Sequence, residues 1–101
     1  MRINIVKVAN NNKLITKEIA DKLVNELSLL DWLKLKNITV SFEGVELVNL
    51  EFLIPFMQFL HNIDMQDVED NIKVTLAETT DLHNTLIVEA YKTVIENERR
   101  R

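Results

Sequence analysis

A chain of 101 residues with 47% hydrophobic and 28% charged content reads as one domain, residues 1–101, with a single hydrophobic core. The absence of cysteine excludes a disulfide framework, a thiolate metal site and a cysteine nucleophile. The formal net charge of −4 argues against nucleic acid as a partner, because that binding depends on clustered Lys and Arg. No apolar run approaches the roughly 18 residues of a membrane span. The first residues also lack the features of a signal peptide. The expectation is a cytoplasmic protein with no membrane partner.

The elements follow in chain order. Residues 2–8 are β-prone, with Ile3 and Ile5 alternating against Arg2 and Asn4. Asn10-Asn11-Asn12-Lys13 predicts a turn, since Asn tolerates left-handed backbone. Thr16 then caps a helix over about 17–33, with Glu18 in its first turn. Its apolar stripe is Ile19, Ala20, Leu23, Leu27 and Leu30, widened by Leu29 and Leu33, with Trp32 off the stripe. Lys17, Asp21, Asn25 and Ser28 form the wet face.

The next stretch organises the rest. Ile38, Val40 and Phe42 alternate against Thr39, Ser41 and Glu43, as in a strand. Gly44, the only glycine, interrupts the alternation as a bulge or tight bend would. A short extra strand over 45–48 leads to Asn49, a candidate N-cap for a central helix. In that helix Glu51, Pro55, Gln58 and Asn62 share a narrow polar sector, and Leu50, Phe52, Leu53, Phe56, Met57, Phe59, Leu60 and Ile63 fill most of the rest. So wide an apolar arc means either a helix flanked by others in the core or one that shows a face to a partner. Pro55 implies a late start or an irregular first turn.

An acidic loop, Asp64 to Asp70, precedes a strand at Ile72–Leu76. Thr79 or Thr80 caps a last helix to about Glu98, with Leu86, Ile87, Ala90, Tyr91 and Val94 on its apolar face. The terminal Arg99-Arg100-Arg101 complements that helix's dipole. The order β-α-β-α-β-α, with one extra short strand, predicts an α/β domain with a mostly parallel or mixed sheet, and right-handed crossovers put neighbouring helices on one face.

Chemistry-bearing patterns are sparse. One glycine cannot make a phosphate loop. His61 and His83 lie on different helices, without the spacing of a helical metal site. They read as hydrogen-bonded structural histidines. Ser28 and Ser41 lack a nucleophile's strand-turn-helix setting. The acidic loop lacks the oxygen spacing and glycine of a calcium loop. These patterns predict no enzyme, no cofactor and no metal.

Three segments together resemble a STAS domain, the sulfate-transporter and anti-sigma-factor-antagonist fold. They are Ile15-Thr16-Lys17-Glu18-Ile19-Ala20, then Ile38-Thr39-Val40-Ser41-Phe42-Glu43-Gly44-Val45-Glu46, then the helix opening at Glu51-Phe52. The chain is most similar to small stand-alone STAS-like proteins of bacteria and their phages, by motif over residues 14–63 and by element order beyond. The resemblance implies a non-enzymatic regulatory module that docks on a protein partner, often an anti-sigma or histidine-kinase-like ATPase. In typical members the loop before the second helix carries Asp-Ser-Ser/Thr-Gly, and its serine is phosphorylated, which adds charge and breaks docking. Here those positions hold Asn49, Leu50, Glu51 and Phe52, with no hydroxyl. The positions after the aromatic, acidic in relatives, are Leu53, Ile54 and Pro55.

The expected partner surface is the 44–56 junction: Gly44, Glu46, Asn49, Leu50, Glu51, Phe52, Pro55 and Phe56. Glu51 is either a first-turn carboxylate favoured by the helix dipole or a fixed charge where relatives place phosphate. A second reading rests on charge. No Lys or Arg lies between Lys36 and Lys73, whereas Glu43, Glu46, Glu51, Asp64, Asp67, Glu69 and Asp70 do. That segregation suits a small acidic inhibitor or decoy, of phage or mobile-element origin, covering a basic surface of a host or defence protein. A homodimer through the Phe-rich helix is compatible with either.

Overall fold

The computed structural model describes residues 1–31, 34, 37–66 and 72–100. The chain is an α/β domain. Strand β1 (Arg2–Asn4) runs into a short helix α1 (Ile5–Ala9), then β2 (Lys13–Leu14) and α2 (Lys17–Ser28). There follow β3 (Asn37–Ser41), β4 (Leu47–Val48), α3 (Leu50–Gln66), β5 (Lys73–Ala77) and α4 (Asp81–Arg99). β1, β3 and β5 form a parallel sheet with β3 in the centre, and β2 and β4 pair parallel as a separate two-stranded sheet.

Both crossovers step the same way across the main sheet, so right-handed connections set α2 and α3 on one face. α3 packs between α2 and α4. Ile3, Ile38 and Val40 are buried beneath this layer, while Arg2, Asn37, Lys73 and Thr75 are exposed on the polar face. Ser41 on that face is buried but satisfied: its hydroxyl donates to Glu78 (2.7 Å) and accepts from the Glu43 N–H (3.1 Å). Glu78 also pairs with Arg2, so one cluster bridges all three strands.

Several sequence expectations change in extent or kind. Residues 5–8 are helix rather than strand. The Asn4 side chain accepts from the Lys7 N–H (3.1 Å) and caps the turn, burying Ile5 and Ala9 at i, i+4 spacing. α2 is capped by Thr16 (3.2 Å to the Ile19 N–H) but ends at Ser28, so Leu29 does not widen the stripe and is 81% exposed. Trp32 and Leu33 lie outside the described residues.

α3 runs unbroken through Pro55. The proline removes only the hydrogen bond to the carbonyl of Glu51, an exposed first-turn residue, so the helix does not start late. Its C-terminal end extends to Gln66, so Asp64 and Met65 are helical, and residues 67–70 of the expected acidic loop lie outside the described residues.

α4 opens with a reciprocal cap. Thr80 Oγ1 accepts from the His83 N–H (3.1 Å), and His83 Nδ1 accepts from the Thr80 N–H (3.2 Å). His83 is therefore a structural histidine, buried against Phe42 with ring centroids 5.8 Å apart. On α4, Ile87, Ala90 and Val94 are buried, but Tyr91 is 42% exposed.

Candidate functional site

The junction begins with a β-turn. The Val45 N–H donates to the Phe42 carbonyl (3.0 Å), and Gly44 sits at φ +86°, which a side chain rarely adopts. A Cβ on Gly44 would lie 3.9 Å from the Val6 methyls of α1, which is ordinary contact. Glycine is therefore required here by backbone conformation rather than by space.

The chain is then tied to the Asn10–Lys13 turn. The Asn12 carbonyl accepts from the Glu46 (2.8 Å) and Leu47 (3.3 Å) N–H groups, and the Asn12 amide donates to the Glu46 carboxylate (3.2 Å). Lys13 pairs with Leu47 and Leu14 with Val48, and the Asn49 N–H donates to the Leu14 carbonyl (3.3 Å). Asn49 then caps α3. Its side chain accepts from the Phe52 N–H (3.3 Å) and its carbonyl from the Leu53 N–H (3.0 Å). Because β2 feeds α2 and β4 feeds α3, the two helices start side by side, capped by Thr16 and Asn49.

The residues singled out from sequence separate into two groups. Gly44, Glu46, Asn49 and Glu51 are exposed, and Leu50 and Pro55 are half-buried. Phe52 and Phe56 are 0% exposed, their rings stacked at 5.5 Å in the core. They pack the helix into the core and present no surface to solvent, because α2, α4 and the sheet enclose that side of α3. The wide apolar arc is thus that of a flanked core helix, with Phe52 and Phe56 buried and Leu50, Ile54 and Phe59 partly so. Sequence reasoning missed Leu47, 51% exposed, and Ile15, which alternation places on the same outward side. For Leu47 no local pattern gave a signal, since alternation sets it on the side of partly buried Val45, and for Asn12 there was none either.

In space the acidic run is less segregated than in sequence. Lys13 stands in register with Leu47, beside Glu46, and Lys17 opens the neighbouring helix. Among the described residues no group of three His, Asp or Glu side chains could hold a metal ion, and no helix is long and apolar enough to cross a membrane.

A second feature lies at the far end of α3. A cavity of about 230 Å³ opens between α3, α4 and β5, lined by Met57, Leu60, His61, Val74, Leu76 and Tyr91 among others. His61 meets the Tyr91 ring edge-on at 5.9 Å, and its Nδ1 is buried with no hydrogen-bond partner.

No family model matches the chain, and no curated protein or solved structure matches it.

Proposed function

We propose that this domain is a non-enzymatic regulatory module of STAS type that docks on a protein partner through the outer edge of the β4–α3 junction. The partner class is an anti-sigma or histidine-kinase-like ATPase. The observation that carries the reading is Leu47, half exposed on a strand whose flanks are tied by hydrogen bonds to a neighbouring turn. An apolar side chain held rigidly at a surface loses little entropy when a partner covers it. Ile15, Leu50 and the polar groups of Glu46, Asn49 and Glu51 surround it, an apolar centre with a polar rim. The resemblance around Glu43-Gly44-Val45 and Glu51-Phe52 supports the same edge. Glu51, exposed at the α3 N-terminus, supplies a permanent charge where relatives place a phosphate.

Affinity capture at low and high salt, comparing wild type with Leu47→Asp and Glu51→Lys, tests this. Recovery of an ATPase-type regulator that survives high salt and is lost with Leu47→Asp is the expected result. If Glu51→Lys leaves that affinity unchanged, the fixed-charge role is wrong. A basic partner released by salt and indifferent to Leu47→Asp would replace this reading with the acidic decoy.

A further inference from the structure

We infer that the free edge of β5 is a self-complementary surface on which a second copy of this chain pairs antiparallel, with Thr75 facing Thr75 of the second copy. This rests on a different edge from the docking reading and does not depend on it. β5 is an outer strand of the β1-β3-β5 sheet, and its direction of bonding is fixed by its inner neighbour. The Phe42 N–H donates to the Ala77 carbonyl (2.9 Å), and Ser41 stands in register with Ala77. Residues 73, 75 and 77 therefore bond to β3. By the alternation of a strand, Val74 and Leu76 turn their N–H and C=O groups to the open side.

Two observations say what covers that edge. On the helix-facing side, Val74 and Leu76 are only half-buried and border the open cavity with Met57, Leu60, His61 and Tyr91. Among the described residues, the outward backbone groups of Val74 and Leu76 thus have no partner and their side chains only partial apolar cover. In an antiparallel register centred on Thr75, all five residues of Lys73–Ala77 pair. Val74 faces Leu76 of the second copy and exchanges both hydrogen bonds with it. The same pairs lie on the helix-facing side, so each copy's Val74 and Leu76 extend the other's apolar floor.

Charge agrees with this register. Lys73 faces Ala77 of the second copy, next to Glu78, and no Lys73 meets its equivalent. A two-fold axis uses one edge from each molecule and closes. Pairing β5 with β1 of another copy would instead leave an open chain of molecules, and β1 is only three residues long, the last of them the Asn4 that caps α1.

The test is sedimentation velocity over roughly a hundredfold range of concentration, with cysteine cross-linking beside it. The expected result is a reversible species at twice the 11.8 kDa monomer mass. Val74→Pro removes an outward N–H at a position where an edge strand tolerates proline, and should be monomeric with an unchanged circular dichroism spectrum. The chain has no cysteine, so Thr75→Cys alone should form an intermolecular disulfide on mild oxidation. Opposed Cβ atoms in such a pair lie about 4.5–5.5 Å apart. Lys73→Cys should not, since four residues of strand would separate the two sulfurs by about 13 Å. A monomer at every concentration overturns the inference, as does a dimer that persists in folded Val74→Pro. Lys73→Cys cross-linking as fast as Thr75→Cys overturns it too, and that arm decides the matter if Val74→Pro does not fold. Glu51→Lys should leave the dimer intact.

Discussion

The two ends of α3 are built to different standards. At its N-terminal end the first-turn N–H of Phe52 has a side-chain cap, the preceding strand is paired, and Phe52 and Phe56 have no exposed surface. At its C-terminal end the helix borders a cavity, His61 keeps a buried nitrogen without a partner, and the facing strand leaves Val74 and Leu76 only partly buried. One sequence thus makes a finished edge and an unfinished one on a single helix. Local stability in proteins varies in this way. The first offers a shaped patch; the second offers unmet hydrogen bonds and uncovered side chains.

Truncations should expose the contrast most strongly. Phe52→Ala, in the closed end, should destabilise by about 3–5 kcal/mol in urea unfolding. Leu76→Ala, at the open end, should cost less, about 1–2 kcal/mol in the monomer, because its side chain is only partly buried. Equal costs would mean that the two ends are packed alike. Gly44→Ala should cost about 1–2 kcal/mol, the penalty of a side chain in left-handed backbone, since Val6 leaves room for the methyl group. Asn49→Ala should cost about 1 kcal/mol by uncapping α3, with Asn49→Asp close to neutral. The smallest effect is expected for Arg2→Ala. Its ion pair with Glu78 is 52% exposed on the arginine side, which limits the change to about 0–1 kcal/mol.

Much of the fold was legible because its signals are local. Thr16, Asn49 and Thr80 each stand before an apolar run and each caps the helix expected there. Period-two alternation located β3 and β5 to within about two residues, the usual scatter of element boundaries. What failed was competition between periods. Ile3 and Ile5 suit a strand, yet Ile5 and Ala9 also suit a helix, and the Asn4 cap decided for the helix. The site was legible only in part. Gly44, Glu46, Asn49 and Glu51 are surface residues as expected, but burial of Phe52 and Phe56 depends on α2 and α4 lying on either side, which no local pattern states. The tie from Asn12 to Glu46 joins residues 34 positions apart, and its three-asparagine turn reads as nothing more than a turn.

The β2–β4 pair also has a mechanical meaning. Each strand contributes only two residues, yet each leads within two residues into a long helix, so the pair acts as a common bearing for α2 and α3. Any rotation of α3 about its own start would shear Leu14 against Val48 and pull the asparagine turn along with it. A load applied at Glu51 is therefore transmitted to Asn12 and to the root of α2 rather than absorbed by a flexible joint.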